Sequence, residues 1–88
     1  MVTKKLPIAN RLGIHLRPAA QLVNLASKYK CRILVQNHNG NADGKSLMSL
    51  LALAASGGSE VTLTVEGQGS KAALVAIQQL FLEKFGET

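Results

Sequence analysis

Val61, Leu63 and Val65 alternate with Thr62, Thr64 and Glu66, a period of two that predicts a strand with one buried and one solvated face. Arg32–Gln36 reads as another strand. So does Thr3–Ile8, whose Pro7 places its end at a sheet edge because proline has no N–H to give a neighbour. The period changes between Leu16 and Tyr29, where Leu16, Ala19, Ala20, Leu22, Val23 and Ala26 follow helical spacing. Pro18 falls within the first turn of that helix, where a missing N–H costs nothing. Asn37–Asn41 is a turn by composition, and a short arm at Ala42–Asp43 closes a hairpin. Ser46 is placed as the N-cap of a short helix reaching Leu53, which Ser56-Gly57-Gly58-Ser59 stops. Beyond Gly67–Gly69, Ser70 is placed to cap a last helix carrying Leu74, Ile77, Leu80 and Phe81 on one side.

The resulting order, βαββαβα, predicts an α+β fold: a four-stranded antiparallel sheet with three helices on one face, an open-faced β-sandwich. The other sheet face is left to water, in keeping with the threonines of the last strand. The 88 residues make a single domain, 1–88, with no room for a second core. A chain this short buries only about 60–65% of its unfolded surface. A deep cleft between domains is excluded, so any chemistry sits near the surface and borrows groups from a partner. The longest apolar run, Leu50–Ala55, is too short to span a bilayer. Lys4 and Lys5 have no apolar run behind them, so no signal peptide is expected. Cys31 is the only cysteine, which excludes an internal disulfide or a cysteine-built metal site and fits a cytoplasmic location.

Charge is unevenly spread. Residues 1–45 carry a net +7 and residues 46–88 a net −2, so the front half suits an acidic protein, a phosphate or a nucleic acid. His15 narrows that choice. It lies between a glycine-containing loop and a predicted helix start, beside backbone amides that have no partner within the helix; with the helix dipole these make an anion site. Arg17 adds a guanidinium that can grip phosphate oxygens through several donors at once. Gly13 lets the backbone turn sharply enough to present the ring. A neutral imidazole nitrogen can attack phosphorus while the fixed donors hold the charge that arrives. The charged surroundings of the ring are expected to be positive, from the helix end and Arg17. On residue types alone, a surface histidine that happens to precede a helix stays open as the plain alternative.

Gly13-Ile14-His15-Leu16-Arg17-Pro18-Ala19 resembles the active-site signature of the HPr family, the histidine-containing phosphocarriers of the bacterial phosphoenolpyruvate (PEP):sugar phosphotransferase system (PTS). Gly44-Lys45-Ser46-Leu47-Met48-Ser49-Leu50 resembles that family's second signature, around its regulatory serine. The separation of the two motifs and the order of elements also match, and the resemblance covers the whole chain. It implies that His15 accepts a phosphoryl group on Nδ1 from enzyme I, with Arg17 assisting, and that the group passes to an EIIA-type acceptor. The chain would then be a substrate of partner phosphotransferases rather than an enzyme, and a monomer with no cofactor, no metal and no membrane insertion. Ser46 would be open to an HPr kinase/phosphorylase, which would bring about two negative charges to a helix start. Leu16, Arg17, Ala20, Leu47 and Met48 would form the docking face. Leu47 and Met48 are expected to be exposed, because Leu50, Leu51 and Leu53 can fill the core. Leu16 departs from the family pattern, where that position is usually small or hydroxylated, and this bears on which partners fit. A nitrogen-related regulatory branch of the same system stays open beside the sugar-transport branch.

Other features carry less. Gly40-Asn41-Ala42-Asp43-Gly44-Lys45-Ser46 has three residues between its glycines where a nucleotide P-loop needs four. His38 has no second ligand near it in sequence, and Cys31 reads as structural. A small basic nucleic-acid-binding domain is the alternative from another class, but an aromatic content of 3% leaves little to stack on bases.

Overall fold

The computed structural model describes residues 1–87. Its elements are β1 (Val2–Pro7), α1 (Leu16–Ala26), β2 (Arg32–Asn37), β3 (Gly40–Asp43), α2 (Leu47–Ala52), β4 (Glu60–Glu66) and α3 (Ser70–Leu82), with a 3₁₀ turn at Lys84–Gly86. The sheet order is β1-β4-β2-β3, with every neighbouring pair antiparallel. This is the α+β architecture that the pattern predicts. The strand alternation explains where the core sits. Ile33 and Val35 of β2 lie opposite Val65 and Leu63 of β4, and all four are buried under the helices. Ala19, Leu22 and Ala26 reach this layer from α1, Leu50 from α2, and Ala73, Ile77 and Phe81 from α3. Burying a side chain such as Leu22 or Ile77 contributes about 1.5–3 kcal/mol. The opposite sheet face is polar: Thr3 and Thr64 hydroxyls lie 3.4 Å apart, and Gln36 Nε2 donates to Asn41 Oδ1 at 2.8 Å. On the edge strand β1, Lys4 pairs with Leu63 on the helix-covered face yet stays exposed, a charge that discourages a further strand from adding there.

Several boundaries differ from the sequence expectation, each for a local reason. The hairpin tip is His38-Asn39 rather than five residues, because Asn37 already pairs with Gly40 and Asn37 Oδ1 accepts from the Asn39 amide at 2.8 Å. The α1 helix ends at Ala26 rather than Tyr29. Lys28 and Tyr29 donate to carbonyls three residues back, Leu25 and Ala26, and this tightens the chain out of the helix. Ser70 does not cap α3. Helical bonding begins one residue earlier, with the Ala73 amide donating to the Gly69 carbonyl at 2.9 Å, so Gly69 takes the cap and Ser70 is the first helical residue. Along α3 the fully buried line is Ala73, Ile77 and Phe81, while Leu74 and Leu80 flank it half-buried.

Candidate functional site

The loop ahead of α1 is laced to the segment that joins α2 to β4. Ile8 donates to Ser59 O at 2.8 Å, Gly58 to Ile8 O at 2.9 Å, and Ile14 to Ala55 O at 2.9 Å. Two glycines permit this approach. Gly13 has φ +72°, and a Cβ there would collide with the Ala55 carbonyl oxygen; a Cβ on Gly57 would collide with that of Arg11. So held, His15 takes the N-cap position of α1 in an extended conformation (φ −84°, ψ −166°).

The His15 side chain does not cap its own helix. Its Nε2 lies 2.8 Å from Oε2 and 3.0 Å from Oε1 of Glu87. Asn10 Nδ2 donates to Glu87 Oε1 at 3.0 Å and to the Gly13 carbonyl at 2.7 Å. The hydrogen bond from His15 is the main reason the Glu87 carboxyl is held below its ordinary value of 4.5. Partial desolvation opposes this, while the Asn10 bond and the charges of His15 and Arg17 add to it. The expectation of wholly positive surroundings for the ring is therefore corrected: a carboxylate is its nearest charged neighbour.

Glu87 arrives there because the chain folds back after α3. Lys84, Phe85 and Gly86 all have positive φ (56°, 54° and 75°), and Phe85 is buried with its ring 4.8 Å from that of Phe81, tilted by 60°. Left-handed conformations cost non-glycine residues about 1–2 kcal/mol each. Burial of the Phe85 ring, about 1.5–3 kcal/mol, offsets most of that.

Nδ1 of His15 makes no hydrogen bond among the described residues. The amides of Leu16 and Arg17 likewise have no backbone acceptor there, Pro18 has no N–H, and the first helical bond runs from Ala19 to His15 O at 3.0 Å. Arg17 is exposed and forms no ion pair among the described residues, but its charge reaches the Glu87 carboxyl. Leu16 is 61% exposed and Ala20 half-buried.

On α2, which packs against α1, Ser46 Oγ accepts from the Ser49 amide at 3.3 Å and so acts as the expected cap. Met48 is 73% exposed, as expected. Leu47 is only half-buried against the core, which corrects the expectation that both residues face solvent; the six-residue helix turns its first apolar residue partly inward. His38 lies exposed at the tip of the β2–β3 hairpin and Cys31 is buried.

The sequence reading did not single out Glu87 or Asn10. A signal for Glu87 was present in Phe85-Gly86: an aromatic residue just past a helix end needs burial, and a following glycine lets the chain return. Asn10 gave none, since asparagine in a loop is ordinary turn chemistry.

The sequence profile of the PTS HPr component phosphorylation site matches residues 2–83. The phosphocarrier protein HPr of Treponema pallidum is 44% identical over 87 residues, covering 99% of each chain. That of Pseudomonas aeruginosa is 38% identical over 88 residues, covering 99% of this chain and 98% of its own. The crystal structure of HPr-C-His from Thermoanaerobacter tengcongensis superposes with a TM-score of 0.95 at 38% identity, covering 100% of this chain and 99% of that one. With the histidine at a helix start, the four-stranded sheet and the full-length match in agreement, the chain belongs to the HPr family of phosphocarrier proteins.

Proposed function

We propose that this phosphocarrier takes a phosphoryl group onto Nδ1 of His15 from enzyme I and delivers it to an EIIA-type acceptor. The observation that carries the reading is a histidine at an open helix start with Nε2 against a carboxylate and Nδ1 unengaged among the described residues. The Nδ1 lone pair attacks phosphorus, the bond to the donor breaks, and its electron pair stays with the donor. Arg17 and the amides of Leu16 and Arg17 then donate to the phosphoryl oxygens. In the second transfer a nucleophile on the acceptor attacks the same phosphorus and the electron pair returns to Nδ1. Leu16, Arg17, Ala20, Leu47 and Met48 form the docking face, where a flexible methionine suits more than one partner. Phosphorylation of Ser46 by an HPr kinase/phosphorylase would add negative charge on the helix that carries Leu47 and Met48. Among the described residues no helix is long and apolar enough to cross a membrane. A cytoplasmic location goes with the partners proposed for the carrier.

Incubation with PEP and enzyme I, followed by mass spectrometry, tests the reading. One acid-labile phosphate on His15 is expected. Label confined to His38, or none at all, overturns it.

A further inference from the structure

We infer that Glu87 and Asn10 are positioning residues for His15: the carboxylate keeps the ring proton on Nε2, and the Asn10 amide keeps the carboxylate in place. The geometry stands by itself; its consequence for phosphoryl transfer rests on the phosphocarrier reading above.

An ionised carboxylate offers only acceptors. With both its oxygens within 3.0 Å of Nε2, that nitrogen has to present an N–H. The other neutral tautomer would set an Nε2 lone pair against a carboxylate oxygen at 2.8 Å. In the neutral ring the lone pair therefore falls on Nδ1, the atom to which the phosphoryl group is assigned. No proton has to leave Nδ1 before attack. When the N–P bond forms, the positive charge gained by the ring meets the carboxylate through the same Nε2–H.

Asn10 makes the arrangement rigid. It is fully buried, and it is the only buried polar side chain among the described residues. Both neighbours of its NH₂ group, the Gly13 carbonyl and Glu87 Oε1, are acceptors, which fixes which way the amide faces. Its Oδ1 has no partner among the described residues, a poor arrangement for a residue kept for stability alone. One amide thus ties the loop that presents His15 to the tail that presents Glu87. The buried Phe85 ring, two residues before Glu87, anchors that tail. Accessibility follows the same division: the Glu87 side chain is 17% exposed and that of His15 37%.

The test is long-range ¹H–¹⁵N NMR of the ¹⁵N-labelled His15 ring, at a pH where the neutral ring dominates, in the wild type, Glu87→Ala and Asn10→Ala. In the wild type, Nε2 is expected at a protonated and Nδ1 at an unprotonated nitrogen position. In Glu87→Ala the two signals should move toward each other as both tautomers populate, and in Asn10→Ala they should move the same way by less. The initial rate of phosphorylation by enzyme I should fall about three- to tenfold in Glu87→Ala, in proportion to the lost competent fraction and orientation. Wild-type nitrogen positions in Glu87→Ala overturn the inference. Should Asn10→Ala fail to fold, Asn10→Ser keeps a small polar group and must show the same drift, or the role of Asn10 falls. A tautomer bias lost in Glu87→Ala, in a protein that takes no phosphate from enzyme I, supports this inference and overturns the phosphocarrier reading. Phosphorylation without any wild-type bias does the reverse.

Discussion

α1 and α2 begin in similar backbone geometry and are finished differently. His15 and Ser46 are both extended N-caps. Ser46 turns its hydroxyl onto its own helix, where the Ser49 amide donates to it at 3.3 Å. His15 turns away to Glu87 and leaves the Leu16 and Arg17 amides without an acceptor among the described residues. A helix start either satisfies its own orphan donors or keeps them for a ligand, and the residue at the cap decides which. One start is closed for stability; the other is left open for the phosphoryl group proposed for it.

The contrast breaks most completely at His15. His15→Ala is expected to abolish PEP-dependent phosphorylation while leaving the circular dichroism spectrum of the wild type, since a half-exposed ring adds little to the core. Acid-labile label surviving in that variant would move the chemistry elsewhere. Arg17→Ala removes one cation from the open start but leaves its amides, so transfer from enzyme I should slow about ten- to a hundredfold rather than stop. Rates equal to wild type would reduce Arg17 to general surface charge.

At the closed start the expected loss is of stability. Ser46→Ala should cost about 0.5–1 kcal/mol in urea unfolding, the lower part of the usual range because the bond is long, and should leave phosphorylation of His15 nearly unchanged. A loss of transfer rate as large as that of Arg17→Ala would erase the distinction between the two starts. Ser46→Asp keeps the cap, and any slowing it causes with enzyme I measures how near the partner's surface comes to α2.

The smallest effect concerns pH. The Glu87 carboxyl is held below 4.5 in the folded protein, chiefly by its bond with His15. A depressed carboxyl stabilises the fold above its ordinary value, and that contribution is lost as pH falls through the lowered one. The stability gap between wild type and Glu87→Ala should therefore be present above about pH 5 and close on further acidification. A gap that widens with acid would show that Glu87 is held by something other than its charge.

What was legible in the sequence follows from how local each signal is. The alternation at Val61–Glu66 and the helical spacing after Leu16 each depend on a few neighbouring residues, and with them the sheet and helices could be placed. His15, Arg17 and Ser46 were legible for the same reason, each beside a helix start. Glu87 was not, because it lies 72 positions from His15 and comes back only through three successive left-handed residues. Ser70 misled because a good capping residue stood one place after the glycine that took the role. Leu47 misled because a six-residue helix has too little length for its period to separate inside from outside.

Gly13 and Gly57 belong to different loops, yet neither tolerates a side chain because each presses on the backbone of the other's loop. For anyone diversifying this carrier, Ala55–Ser59 is therefore not a free surface loop, although it holds no reactive group. A library that randomises it alone should return glycine at position 57, and insertions there should be selected against as strongly as insertions beside His15. If the proposed docking face is right, new partner specificity is to be sought on its helix side chains, where Leu16 and Met48 stand exposed.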